Sequence, residues 1–236
     1  MKTLLSVAIL VGLVGFLPGT RCRAQGAEDG VALAIIYDTS GSMKDPVPDA
    51  KGGSTAKYVI ANRALTRVAD QIAAFQTNAA GGVARNISTV LYVFGNSTGR
   101  EAIPFGPFDA AALKGWAAHF SSPAGNTPLG NALRLAGQRV LSSPLSRKHV
   151  LVITDGLNTA GPEPATVLPA LKRQAEQKQA RFSVHFVAFD VDATQFSAVK
   201  RLGATVVGAA DEKQLNTQLE FILKRQILLE EEEPKK

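Results

Sequence analysis

Three stretches of this chain are apolar almost throughout, and they constrain its fold more than any other feature. They are Val31–Tyr37, Ser88–Phe94 and His149–Thr154. A strand with one face in water alternates apolar and polar residues, whereas a strand covered on both faces has no need to. These three runs are therefore typical of strands in a parallel sheet with helices packed on both sides.

The segments between these strands carry helical spacing, which indicates a regular alternation of strands and helices. Further strands are expected at 182–189 and 205–207, with a short edge strand at 100–105. The expected helices are 56–75, 109–120, 129–141, 165–180, 193–202 and 211–229. This order predicts an α/β fold, a doubly wound and mostly parallel sheet flanked by helices, in a single domain over residues 28–229.

The first 24 residues have the pattern of a signal peptide. Lys2 precedes an apolar run, Leu4–Leu17, that is short for a membrane span and suits a signal-peptide core. Small residues allow cleavage after Ala24, and retention as an N-terminal membrane anchor is the alternative. We expect residues 1–24 to direct export to a bacterial periplasm or exterior, and residues 230–236 to form a disordered charged tail.

The formal net charge of +6 gives little support for a nucleic-acid partner. Loss of the leader would remove Lys2, Arg21 and Arg23 and lower the charge to +3, spread along the chain without a basic stripe. The leader also holds Cys22, the single cysteine, so a disulfide framework and a multi-cysteine metal site are excluded. We expect no nucleic-acid partner and no stable membrane insertion after cleavage.

Polar residues gather where the apolar strands end. Asp38, Ser40 and Ser42 follow the first strand, Thr127 precedes a helix, and Asp155 follows the strand that ends at Thr154. Carboxyl ends of parallel strands meet at one edge of a sheet, where ligands bind. Carboxylate and hydroxyl oxygens suit Mg²⁺ or Mn²⁺ better than zinc, and Asp155 can contribute directly or through water.

Three segments carry a resemblance to a known family. They are Ile35–Met43, Gly125–Leu129 and Ile153–Gly156. They resemble von Willebrand factor A-type domains of bacteria, and Asp38, Ser40, Ser42, Thr127 and Asp155 resemble that family's metal-ion-dependent adhesion site. The resemblance covers nearly all of the chain after the leader and includes the three metal loops in order.

The resemblance implies a binding function without catalysis. Asp38, Ser40, Ser42 and Thr127 would be direct ligands of Mg²⁺ or Mn²⁺, and Asp155 would act through water. The ion would then accept an Asp or Glu carboxylate from a partner protein. Two other functions stay open from the residues: a metal-dependent hydrolase, and a scaffold domain whose metal is incidental.

Other polar residues have simpler interpretations. Asp38 and Asp155 could each cap a turn, and Asp190 and Asp192 are interpreted as turn and helix-cap residues. The three histidines, His119, His149 and His185, are scattered without ligand spacing. The segment Lys44–Ser54 is expected to be a flexible loop beside the site and a candidate rim for a partner.

Overall fold

The computed structural model describes residues 28–77, 85–95 and 97–229. The predicted leader, residues 1–24, and the predicted tail, residues 230–236, lie outside the described residues.

A six-stranded sheet forms the centre of the fold, in the order β5-β4-β1-β6-β7-β8. Neighbouring strands run parallel except at the β4–β5 edge, where the pairing is antiparallel. The strands in the described part of the chain are β1 (Glu28–Tyr37), β2 (Pro46–Pro48), β3 (Ser54–Ala56), β4 (Ile87–Phe94), β5 (Gly99–Pro107), β6 (Leu145–Thr154), β7 (Arg181–Phe189) and β8 (Thr205–Ala209). The predicted α/β class and mostly parallel sheet are therefore confirmed.

Helices cover both faces of this sheet. They are α1 (Lys57–Thr77), α2 (Ala110–His119), α3 (Leu129–Leu141), α4 (Pro164–Gln177), α5 (Ser197–Arg201) and α6 (Glu212–Phe221), which continues as a π-helical stretch, Ile222–Leu228. Helices α1, α2 and α6 pack on one face and α3, α4 and α5 on the other. Within the described residues, no helix is both long enough and apolar enough to cross a membrane.

The absence of alternation in β1 follows from this layering. Leu33 and Ile35 face the core under α1, α2 and α6, whereas Ala34 and Ile36 face the core under α3 and α4. All four side chains are buried. A polar residue would therefore be desolvated on either face, which explains why the strand is apolar throughout.

The segment Lys44–Ser54 differs from the expected flexible loop. Strands β2 and β3 pair in it as a short antiparallel hairpin. Asp49 closes the turn, because its carboxylate accepts hydrogen bonds from the amides of Lys51 and Gly53, at 2.9 Å each, and from the Thr55 hydroxyl at 2.8 Å. The carboxylate thus accepts hydrogen bonds from amide and hydroxyl donors that would otherwise be bound by water.

Candidate metal centre

Strands β1 and β6 are adjacent at the centre of the sheet, and this places Asp38 beside Asp155. The backbone amide of Asp38 donates to the carbonyl of Ile153 at 3.0 Å, which extends the parallel pairing past the end of β1. Both carboxylates therefore lie at the carboxyl edge of the sheet, as the residue pattern predicts. Asp38 is fully buried and Asp155 nearly so.

The loop after β1 folds back on the Asp38 carboxylate. The amide of Ser40 donates to Asp38 Oδ1 at 2.8 Å, and a 3₁₀ turn follows over Gly41–Lys44. This curl brings the hydroxyl oxygens of Ser40 and Ser42 within 3.2 Å of each other. Ser40 is buried and Ser42 exposed, so the pair leads from the interior to the surface.

Thr127 lies in the loop that precedes α3, and its hydroxyl lies beside the same group of residues. Its backbone exchanges two hydrogen bonds with Thr159, at 2.8 and 3.0 Å. A Cβ placed on Gly156 would lie 3.8 Å from Thr127 Oγ1 and 3.9 Å from Ser42 Oγ. The two hydroxyls therefore border the same small space, which the missing side chain of Gly156 leaves open.

Both carboxylate oxygens of Asp155 are engaged. Ser42 Oγ donates to Oδ1 at 2.9 Å, and the ammonium of Lys57 lies 3.1 Å from Oδ2. The same ammonium lies 2.9 Å from Oδ2 of Asp190, at the end of β7. Lys57 and Asp155 are buried, whereas the Asp190 side chain is 41% exposed.

Burial and the closeness of the two carboxylates make the negative charge of Asp38 unfavourable. Burial, followed by the nearby charge of Asp155, raises the pKa of Asp38 from 3.8 to about 6, against the lowering effect of hydrogen bonds from Ser40 and Thr154. Burial alone would lower the pKa of Lys57, but contacts with Asp190 and Asp155 outweigh it and raise that pKa. A buried site that holds more negative charge than it can solvate favours a bound cation.

Comparison with known proteins finds likeness in structure. No protein-family model matches the chain, and no curated protein matches it. The von Willebrand factor domain of the pilus tip protein Mfa5 from Porphyromonas gingivalis matches with a TM-score of 0.63 and 13% identity, over 88% of this chain and 98% of that chain. The PilB minor pilin from Streptococcus sanguinis matches at 0.59 and 17%, over 84% of this chain and 61% of that one.

A third solved structure is proximal thread matrix protein 1 from the mussel byssus, with a zinc-occupied adhesion-site motif. It matches with a TM-score of 0.57 and 14% identity, over 84% of this chain. The chain spans 48% of that protein and 61% of PilB, less than two thirds of either. The fold is that of a von Willebrand factor A-type domain.

All five predicted residues of the adhesion site of this A-type fold come together. Asp38, Ser40, Ser42 and Asp155 are joined by hydrogen bonds or by the sheet, and Thr127 borders the space beside Gly156. They meet because three separate loops leave the same edge of the sheet. The structure brings these residues to one place, and their role as metal ligands stays a prediction.

This donor set fits a divalent ion that prefers oxygen. Neighbouring ligands of an octahedral Mg²⁺ with bonds of about 2.0–2.1 Å lie about 3 Å apart. The hydroxyl oxygens of Ser40 and Ser42, 3.2 Å apart, have about this spacing. Over residues 28–77, 85–95 and 97–229, no three His, Cys, Asp or Glu side chains cluster as a metal site, so any ion here would depend on hydroxyls.

Three contributors to the site were missed in the sequence. The Thr154 hydroxyl donates to Asp38 Oδ2 at 2.6 Å, and Lys57 joins Asp155 to Asp190. One signal was available for Lys57: it is the first residue of α1, where the helix dipole disfavours a cation. Asp190 does follow a strand as predicted, but its φ of +54° and its ion pair give it more than a turn role.

The remaining polar residues have structural roles. Asp192 caps the 3₁₀ turn after β7 by accepting from the amide of Thr194 at 2.9 Å, as predicted. Two of the histidines lie side by side in the fold although they are 36 residues apart in the sequence, with His149 Nδ1 3.3 Å from His185 Nε2. That pair is buried within β6 and β7, on the face covered by α6, and not at the strand ends.

Proposed function

We propose that this chain is an exported, metal-dependent protein-binding module. Asp38, Ser40, Ser42 and Thr127 hold Mg²⁺ or Mn²⁺, and Asp155 acts on the ion through water. When bound, the ion supplies an electrophilic point that accepts an Asp or Glu carboxylate from a partner protein. The observation that carries this proposal is the convergence of the Ser40 and Ser42 hydroxyl oxygens, 3.2 Å apart, beside the buried Asp38 carboxylate.

The proposed ligands differ in charge, and this leaves the ion with part of its positive charge. Asp38 supplies a full negative charge from the interior, while Ser40, Ser42 and Thr127 supply neutral oxygens that satisfy coordination without cancelling the ion's charge. Ser42 is exposed, so the site opens to solvent on its side. A site that under-neutralises its ion and faces outward is suited to recognising an anionic side chain.

The hydroxyl arrangement disfavours Ser40 and Ser42 as nucleophiles. A serine nucleophile needs a neighbouring base that takes its proton in the reaction. The Ser40 and Ser42 hydroxyls instead contact each other, and Ser42 donates to a carboxylate that Lys57 already pairs. We therefore propose that the chain binds its partner without breaking bonds.

Export and a role at the cell exterior are part of the same proposal. The leader pattern in residues 1–24 supports export. PilB is a minor pilin and Mfa5 a pilus tip protein, and both share this fold. A surface or periplasmic protein partner is consistent with these neighbours and with the outward-facing site.

Calorimetric titration with Mg²⁺ and with Mn²⁺ tests the metal site. We expect saturable binding to the wild type and none to Asp38→Ala. Asp192→Asn is the matched control. Asp192 lies at the same edge of the sheet, but its carboxylate caps a turn and it is not among the proposed ligands. Equal affinity in the wild type and Asp38→Ala would refute the site.

Capture of exported proteins on the immobilised domain, with and without a chelator, tests the partner. We expect a partner that is retained with Mg²⁺, released by chelator, and absent from the Asp38→Ala column. Blocking the carboxyl groups of the captured protein by amidation should abolish rebinding. A partner set that is indifferent to chelator would favour a scaffold role, and turnover of a phosphate or peptide substrate would favour a hydrolase.

A further inference from the structure

Lys57 is an ammonium built into the proposed metal site. Its side chain is 6% exposed, and its Nζ lies between two carboxylates, 3.1 Å from Asp155 and 2.9 Å from Asp190. A lysine is rarely buried without a specific need for its charge. Here the charge sits against one of the two buried carboxylates that would otherwise face a divalent ion together.

The contact with Lys57 limits what Asp155 can do. Its Oδ2 accepts from the ammonium and its Oδ1 from the Ser42 hydroxyl. Each oxygen keeps a further lone pair, but an ion bound directly to Asp155 would lie close to the Lys57 ammonium, whose positive charge repels it. Lys57 therefore holds this carboxylate in place and offsets its charge, so that Asp38 supplies most of the negative charge at the ion.

Asp190 keeps the ammonium in this position. Its backbone amide donates to the carbonyl of Ala209 at 2.7 Å, and its φ of +54° turns the residue in a way that non-glycine residues seldom adopt. Residues held in such conformations concentrate at functional sites. The Asp190 carboxylate is partly exposed, so water screens its charge more than that of Lys57 or Asp155.

We propose that Lys57 is a positioning residue that sets the charge of the adhesion site. It keeps Asp155 out of the direct ligand set and holds the affinity for divalent ions below the value that two free carboxylates would give. An ion bound under these conditions keeps more of its positive charge, which increases the gain from a partner's carboxylate. This inference rests on the metal-dependent function proposed above.

Replacement of Lys57 and of Asp190 should shift the metal affinity in opposite directions. Lys57→Met keeps the apolar stem and removes the charge, and we expect it to bind Mn²⁺ about tenfold more tightly or better, because a nearby repulsion is lost. Asp190→Asn leaves Lys57 without its outer counter-ion, and we expect about two- to threefold weaker binding, because that charge is partly screened. A purely structural role would weaken binding in both variants.

Lys44→Met is the matched control. Lys44 ends the 3₁₀ turn that carries Ser42, and it is exposed. Loss of its charge should change the Mn²⁺ affinity less than twofold, since solvent screens it. A shift as large as that of Lys57→Met would show that general surface charge, and not the buried ammonium, controls the site.

Mn²⁺ calorimetry is combined with melting curves, with and without Mn²⁺, for all three variants. Metal-free Lys57→Met should melt below the wild type, because the buried Asp155 and the partly exposed Asp190 lose their cation. Mn²⁺ should raise its melting temperature by more than it raises that of the wild type. Equal or weaker Mn²⁺ binding by Lys57→Met overturns this inference. If Lys57→Met fails to fold, unchanged or tighter binding by Asp190→Asn overturns it instead.

The wild type separates this inference from the proposed function. A wild type that binds neither Mg²⁺ nor Mn²⁺ refutes the metal-dependent function itself. A wild type that binds Mn²⁺, together with a Lys57→Met variant that binds no more tightly, refutes only the role given to Lys57.

Discussion

The hydroxyl of Thr154 donates a hydrogen bond of 2.6 Å to Oδ2 of Asp38, and this contact joins the two central strands at the candidate metal centre. With the amide of Ser40 on Oδ1, both oxygens of the Asp38 carboxylate are oriented by the protein. Thr154 is fully buried, so the orientation does not depend on solvent. A carboxylate fixed in this way is prepared for a ligand before the ligand arrives.

Thr154→Val should weaken metal binding although Thr154 is not itself among the proposed ligands. Valine keeps the shape of threonine but removes the donor, so Asp38 loses one of the two contacts that orient it. Loss of such a supporting hydrogen bond typically lowers metal affinity by about 10- to 100-fold. Thr154→Ser keeps the hydroxyl and should bind Mn²⁺ as the wild type does. Equal Mn²⁺ affinities for Thr154→Val and Thr154→Ser, measured by calorimetry, would contradict this role.

Asp38→Asn should abolish metal binding and yet stabilise the metal-free protein near pH 7. Burial, followed by the charge of Asp155, raises the pKa of Asp38 to about 6, above its ordinary 3.8. The folded state therefore binds this proton more tightly than the unfolded state, and stability falls as the pH rises from about 4 to about 6. We expect a gain of about 1–3 kcal/mol for the variant in chelator near pH 7.

Denaturant unfolding near pH 7 and near pH 4 tests whether the charge of Asp38 lowers the stability of the metal-free protein. The advantage of Asp38→Asn should shrink near pH 4, where the wild-type carboxyl is protonated in the folded state. Excess Mg²⁺ should stabilise the wild type and leave Asp38→Asn unchanged. A variant that is less stable than the metal-free wild type near pH 7 would show that the Asp38 charge is not costly.

The sheet and the positions of the loops at the candidate metal centre could be predicted because their signals are local. A strand covered on both faces is apolar throughout, as β1 is, and a loop that follows such a strand must lie at its carboxyl end. Asp38, Ser40 and Ser42 could thus be placed from their position after one strand, and Asp155 from its position after another. The resemblance to a known family then supplied the assignment of ligand roles.

Lys57 and Thr154 could not be found in this way, because each acts through a residue far along the chain. Lys57 contacts Asp155 across 98 residues, and Thr154 contacts Asp38 across 116. Such pairings depend on which strands become neighbours and on the exact start of α1. The hairpin β2–β3 escaped prediction for a related reason, since its prolines and glycines suggest a loop and its turn depends on the Asp49 carboxylate.

Gly130→Ala should destabilise the fold and weaken the metal site together. A Cβ at Gly130 would clash with the carbonyl oxygen of Pro162, so the segment that carries Asn158 and Thr159 would have to move. Thr159 holds the backbone of Thr127, one of the proposed ligands. We expect a loss of about 1–3 kcal/mol in the free energy of unfolding and weaker Mn²⁺ binding.

Gly115→Ala is the matched control for Gly130→Ala. Gly115 lies in helix α2, and a Cβ there would meet no atom within 4 Å. Alanine favours a helix over glycine by about 0.5–1 kcal/mol, so this variant should be slightly more stable with unchanged Mn²⁺ affinity. If both variants behaved alike in denaturant unfolding, crowding at Pro162 would not be the cause.

Glu212→Gln should destabilise the protein near pH 7 and have a smaller effect in acid. The Arg63 guanidinium donates two hydrogen bonds, of 2.7 and 3.0 Å, to the nearly buried Glu212 carboxylate. These contacts lower the pKa of Glu212 below its ordinary 4.5. A carboxyl group with a lowered pKa stabilises the fold at pH values above its pKa in the unfolded state. It loses that contribution as the pH falls through its pKa in the folded state.

We expect Glu212→Gln to lower the free energy of unfolding by about 1–3 kcal/mol near neutral pH. The control is Glu220→Gln, which breaks an exposed pair with Lys224 and should cost less than about 0.5 kcal/mol. Denaturant unfolding from pH 7 to pH 3 measures both, and a cost for Glu212→Gln that does not change with pH would show that the charge of Glu212 contributes nothing.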